Sequence, residues 1–150
     1  KDPIPDDIRI VTSHDGLDVL CDGPEDGILL VAHGQLCAEA LAAVDQLDFP
    51  VRVVSPRWSL PVCGGLIEEA ARARAVVSVE DGLVVSGLGS HLADVLSQRG
   101  MWRPIRSLGI PQRYLDHDSR SAIIAELGLD SRGIAGAVSQ LVAQLDGECS

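Results

Sequence analysis

The apolar positions of this chain alternate between two kinds of run. Short, continuous and largely β-branched stretches at residues 28–31 (ILLV), 51–54 (VRVV) and 75–80 (AVVSVE) are too apolar for half-exposed strands and predict strands buried on both faces. Between them the spacing becomes helical. Leu36, Ala40, Ala43, Val44 and Leu47 predict a helix over residues 35–47, and the helix formers of residues 66–74 (LIEEAARAR) predict a second. Residues 17–21 form a further strand candidate, closed by the turn signal Asp22-Gly23-Pro24, and residues 104–108 (PIRSL) form a last one, with Gly109-Ile110-Pro111 turning out of it. Residues 81–89 form a glycine-bearing loop, with Ser90 capping a helix over 91–98 that stops at Gly100. Two helices close the chain, over residues 119–127 with a stop at Gly128, and over 131–145 with Ile134, Val138, Leu141, Val142 and Leu145 on one face. Strands alternating with helices predict an α/β fold on a mostly parallel sheet. Residues 1–16, rich in proline and aspartate, read as a linker or arm with one extended segment at 8–11, and residues 17–150 as the domain.

Composition narrows this picture. Apolar residues make up 46% of the 150 and aromatics 3%, so a single aliphatic core is expected. A formal charge of −10, with 12 basic against 22 acidic residues, leaves no basic stripe and argues against a nucleic-acid partner. No apolar run approaches the ~20 residues of a membrane helix and no signal-peptide pattern opens the chain, so no membrane partner and a cytoplasmic location are expected. Cys21, Cys37, Cys63 and Cys149 lie far apart without a C-x-x-C pair, which suits reduced thiols and no metal site. Met101 is the sole methionine and the chain opens at Lys1, so a piece of a longer protein is expected.

The candidate chemistry gathers at strand ends. An open parallel sheet binds ligands beyond the carboxyl ends of its strands, which here carry His33-Gly34, Pro56-Arg57-Trp58 and Glu80-Asp81-Gly82. Pro56 has a fixed φ and no N–H, so it is expected to end its strand and deliver Arg57 in a constrained direction. That guanidinium either grips a phosphate or carboxylate or pairs with a neighbouring acid. Glu80 reads as an orienting carboxylate and His33 as an edge histidine without an identifiable partner. His91, in a first helical turn, is expected to be neutral and structural, and Cys63 inert. Gly87-Leu88-Gly89 lacks the third glycine of a dinucleotide loop, and His117-Asp118-Ser119 reads as a helix start rather than a triad.

Read in succession, ILLVAHG, VRVVSPRW-x-x-P and VVSVEDG-x-x-x-SGLGSHLADVL resemble the C-terminal domain of the transketolase-like, thiamine-diphosphate-dependent enzymes. The ending GIPQRYLDHDSRSAIIAELGLDSRGI is similar to that of the 1-deoxy-D-xylulose-5-phosphate synthase family. The resemblance implies a three-layer α/β/α domain on a mixed, mostly parallel five-stranded sheet, the last of three domains in a homodimeric enzyme. That enzyme condenses pyruvate with glyceraldehyde 3-phosphate, releasing carbon dioxide. The resemblance further implies that thiamine diphosphate and Mg2+ are held by the N-terminal and central domains, so this chain alone is expected to be inactive. Arg57 stands at the arginine of the family's V-D-x-R-F pattern, which implies binding of the substrate phosphate. The chain departs from the pattern at Ser55 (commonly Asp), Trp58 (commonly Phe) and Ser86 (commonly Gly). The alternatives are another thiamine-diphosphate enzyme, such as a transketolase or the β subunit of a 2-oxo acid dehydrogenase, and a free-standing non-catalytic binding module.

Overall fold

The computed structural model describes residues 5–111 and 119–148. Among them six strands form one sheet: β1 (Thr12–His14), β2 (Leu17–Cys21), β3 (Ile28–Ala32), β4 (Arg52–Pro56), β5 (Ala75–Leu83) and β6 (Ile105–Ile110). Their order is β1-β2-β4-β3-β5-β6. β4, β3, β5 and β6 run parallel, β2 runs against β4, and β1 runs against β2. The mixed, mostly parallel sheet matches the expectation, with six strands in place of five. The additional strand is β1, from the segment read as an arm. It pairs because Asp15 (φ 44°) and Gly16 (φ 81°) supply the two left-handed residues of a tight hairpin, which folds Thr12–His14 back onto β2.

Five helices flank the sheet: α1 (Leu36–Val44), α2 (Gly64–Arg72), α3 (Leu88–Gln98), α4 (Arg120–Glu126) and α5 (Ser131–Glu148). Successive strand residues point to opposite faces, and the apolar runs divide accordingly. Leu30, Val53 and Val77 pack with Cys37 and Ala40 of α1 and Ile134, Val138 and Leu141 of α5. Leu29, Val31, Val54 and Val76 pack with Leu66 of α2 and Leu92 and Leu96 of α3. The result is three layers, and continuous apolar runs are what a sheet covered on both faces requires.

The structure corrects several boundaries. β4 does end at Pro56 as expected, with Pro56 itself opposite Leu17 in the β2–β4 ladder. The Arg57 N–H points at β2, donating to Gly16 O at 2.9 Å, so the missing N–H of Pro56 would have pointed to the other side, where pairing with β3 has stopped at Val54. β5 continues through the expected loop to Leu83, and β6 through the expected turn to Ile110, because these two ends pair with each other after a register shift. Helix α3 starts at Leu88 with Gly87, not Ser90, before it. Ser90 Oγ instead donates to Val84 O at 3.1 Å. Gly100 (φ 72°) and Gly128 (φ 70°) stop their helices as expected, and Ser119 Oγ caps α4 by accepting from Ala122 N.

Candidate functional site

Helix α1, following β3, lies on one face of the sheet, and helix α3, following β5, lies on the other. β3 and β5 are neighbours, so their carboxyl ends part at the topological switch point where open α/β sheets hold ligands. A cavity of about 420 Å³ opens there. His33, Gly34 and Gln35 line it from the end of β3, Glu80, Asp81 and Gly82 from β5, and Leu88 from the start of α3. Ser59 of the β4–α2 loop and Arg120 of α4 complete it.

Glu80 has a visible task. Its Oε2 accepts the Leu88 N–H at 3.0 Å, so a strand carboxylate supplies the negative charge and the acceptor that the α3 N-terminus lacks. Its Oε1 is buried without a partner among the described residues. Arg120 pairs with Asp81, tying the start of α4 to the end of β5 across the cavity. The structure thus brings His33 and Glu80 into one cavity lining, with Glu80 holding the first N–H of α3.

Arg57 stands apart from the cavity. Its Nε and Nη2 both lie 3.1 Å from Oδ1 of Asp18, a buried carboxylate on β2. The remaining end of the guanidinium is open, with the side chain 56% exposed. The departures from the family pattern have local consequences. The Ser55 hydroxyl accepts a bond from Cys37 Sγ at 3.5 Å, and the Trp58 indole adds a donor that reaches Pro61 O at 2.9 Å. Ser86 holds φ 66°, a left-handed position where glycine costs least. Residues 86–90 do not line the cavity apart from Leu88. His91 Nδ1–H donates to Gly87 O at 2.8 Å, and Cys63 is buried with its thiol pushed up chiefly by burial. His117 and Asp118 lie outside the described residues.

Asp18, Ser59 and Arg120 escaped the sequence reading. Only Asp18 left a signal, as a lone charge inside the apolar strand LDVLC. Among the described residues no three of His, Cys, Asp or Glu converge as metal ligands. Asp81 is engaged by Arg120 and one oxygen of Glu80 by a backbone N–H, so these residues do not fit a magnesium–diphosphate site.

This geometry agrees with the comparison to known proteins. The family "Transketolase, C-terminal domain" matches residues 17–134. The chain belongs to that family. The chain is 97% identical over 150 residues to 1-deoxy-D-xylulose-5-phosphate synthase of Cutibacterium acnes, a match that covers 100% of this chain and 24% of that protein. The 1-deoxy-D-xylulose-5-phosphate synthase 2 of Streptomyces avermitilis is 42% identical over 139 residues, covering 88% of this chain and 21% of its own length. The chain therefore spans about a quarter of the length of the curated relatives it matches. Among solved structures, a split-gene transketolase described as an inactive β4 tetramer superposes with a TM-score of 0.74 at 30% identity, over 87% of this chain and 43% of that one. Transketolase from Campylobacter jejuni shares the fold at a TM-score of 0.59 and 16% identity, over 88% of this chain and 20% of that one.

Proposed function

We propose that this transketolase C-terminal domain serves a 1-deoxy-D-xylulose-5-phosphate synthase, condensing pyruvate and glyceraldehyde 3-phosphate with loss of carbon dioxide. The observation that carries the proposal is the 97% identity over the whole chain to a protein of that name. Transketolases themselves match at 16 to 30%, which favours this reading over the other thiamine-diphosphate enzymes. Coverage of 24% of that relative favours a domain of a larger enzyme over a free-standing module.

In this reading thiamine diphosphate and Mg2+ are held by the N-terminal and central domains, and the cytoplasmic enzyme is a homodimer. Among the described residues no helix is long and apolar enough to cross a membrane. The domain's part is packing against its neighbours and binding the substrate phosphate through Arg57, whose open guanidinium edge supports the role. Isolated, the chain turns over no substrate, in keeping with the split-gene relative described as inactive. Calorimetric titration of the isolated chain with thiamine diphosphate and magnesium then gives no saturable heat, and submillimolar binding would overturn this division of labour.

The decisive experiment is Arg57→Ala in the full-length enzyme. A charge-assisted contact contributes roughly 1.5–3 kcal/mol, so kcat/KM for glyceraldehyde 3-phosphate falls by about ten- to a few-hundred-fold, mostly through KM. Pyruvate has no phosphate and keeps its affinity. Arg57→Lys recovers only part of the loss, because a point charge replaces a bidentate fork. An unchanged KM for glyceraldehyde 3-phosphate would leave Arg57 as the partner of Asp18 and nothing more.

A further inference from the structure

We propose that the carboxyl edge of the sheet is a docking surface for the other domains of the same polypeptide, and that a basic side chain from them enters the cavity beside Glu80. The inference rests on reading the chain as one domain of a larger enzyme, since the match covers 24% of its relative and leaves about three quarters of that protein outside. Three large apolar residues are exposed at this edge: Trp58 at 43%, Leu60 at 46% and Val85 at 55%. Trp58 and Leu60 stand in the β4–α2 loop on either side of Ser59, which lines the cavity. Val85 stands in the β5–α3 loop, between the cavity residues Gly82 and Leu88. Apolar side chains grouped with a polar pocket mark a surface that another protein surface covers. Trp58 is also fixed in place. Its indole N–H donates to Pro61 O at 2.9 Å, and its ring lies against Gly16 of the β1–β2 hairpin, where a Cβ would come within 2.5 Å of it. An aromatic ring ordered before contact loses little freedom on docking, which suits it as an anchor.

The cavity adds a charge to be met. Glu80 gives one oxygen to the Leu88 N–H, and its Oε1 has no partner among the described residues. Asp81 is already matched by Arg120, so the carboxylate oxygen left over calls for a donor from outside the domain. A buried acceptor is costly unless paired, and a lysine or arginine pairs it through a charge-assisted hydrogen bond. Charge also decides between occupants. A second copy docking by two-fold symmetry would set this edge against itself and bring carboxylate to carboxylate, in a chain of formal charge −10. The other domains of the polypeptide present a different surface and are free of that constraint.

The test is a photo-crosslink in the full-length enzyme. Leu60→benzoylphenylalanine sets a reactive probe at the carboxyl edge, and Trp102→benzoylphenylalanine sets the same probe before β6, at the opposite edge, where Trp102 is 78% exposed. Irradiation is expected to link position 60 to a peptide of the N-terminal or central domain, in a product that still runs as a single chain on a denaturing gel. A covalent dimer from position 60 would overturn the proposal, because a second copy would then cover the edge. Links to those domains from position 102 and none from position 60 would overturn it too, while the chain remains a domain of the larger enzyme. Links from neither position would take away the domain packing of that reading as well. Should the Leu60 variant not fold, Val85 carries the probe with the same expectations.

Glu80→Gln tests the part played by the cavity. The amide keeps an acceptor for the Leu88 N–H but offers no charge to an entering cation. In the full-length enzyme the amides of residues 57–60 are expected to exchange with deuterium at least about tenfold faster in this variant, as loss of a buried ion pair loosens the docked loop. Unchanged exchange in that loop would overturn the entry of a cation. Faster exchange confined to the start of α3 would overturn it as well, leaving Glu80 as the cap of that helix alone.

Discussion

Arg52 and Glu69 meet between β4 and α2, with Nε 2.8 Å from Oε2 and Nη2 3.0 Å from Oε1. Both residues are buried, and the bond it donates to Glu69 is the chief reason the Arg52 guanidinium is held above its ordinary value. Asp22 takes Nη1 at 2.5 Å, while His14 and Arg72 approach Glu69 at 3.6 and 3.7 Å. A forked pair in a dry layer has its donors and acceptors satisfied, and removing one partner strands the other.

Glu69→Ala is therefore expected to destabilise the domain by about 3–5 kcal/mol, read as a lowered urea midpoint at unchanged slope. Replacing the pair by Arg52→Met with Glu69→Leu is expected to recover most of that loss, because an apolar pair of similar volume has no charge to leave uncompensated. A double variant as weak as Glu69→Ala would mean that the ion pair, rather than its desolvation, dominates the layer.

Two glycines give opposite expectations for the same substitution. A Cβ on Gly89 would fall against Ser107 Oγ and within 2.6 Å of Ser78 Oγ, since α3 lies directly on β5 and β6 there. Gly89→Ala is expected to cost about 1–3 kcal/mol by overpacking, a fall in Tm of several degrees. Gly136, inside α5, has nothing within 4 Å of the corresponding position, so Gly136→Ala is expected to stabilise by about 0.5–1 kcal/mol through helix propensity. Equal effects of the two changes would contradict the close approach of α3 to the sheet.

The parts of this fold that were legible in the sequence are those decided within a few residues. The strands at Ile28, Val53 and Val76 follow from continuous apolar runs, and the ends of α3 and α4 from glycines that do hold φ 72° and 70°. The start of α3 was misplaced because its cap comes from Glu80, eight residues upstream on a strand, rather than from Ser90. β1 was missed as a strand because three exposed or half-exposed residues carry no apolar signature, and only the Asp15-Gly16 turn folds them back. The strand ends carry His33 and Glu80 to the lining of one cavity, since topology rather than local pattern fixes where the cavity opens. Arg120 and Asp18 act across 39 residues of sequence in each case, Arg120 on Asp81 and Asp18 on Arg57, and no spacing rule connects such partners.

The last prediction concerns the thiols. Cys37 is buried, and burial raises its thiol above the ordinary value of 9.0 despite the opposing bond to Ser55; burial raises Cys21 and Cys63 likewise. Below pH 9.0 the thiols carry their protons whether the chain is folded or not, so their contribution to stability is fully present. As the pH rises further the unfolded chain releases these protons first, the folded chain binds more protons than the unfolded, and stability falls. Each such thiol adds at most ~1.4 kcal/mol per pH unit to that fall, until the folded group also ionises. Lysine and tyrosine titrate in the same window, so the informative quantity is the difference between parent and Cys37→Ala. The variant's urea midpoint is expected to decline less steeply between pH 9 and 10.5, whatever its absolute stability. Iodoacetamide at pH 8 is expected to modify half-buried Cys21 in the folded protein while sparing Cys37 and Cys63, and to modify all three in urea. Parallel declines in parent and variant, or labelling of Cys37 at the rate of Cys21, would show that the layer between α1 and the sheet admits solvent and that Cys37 is not the sealed residue its burial makes it.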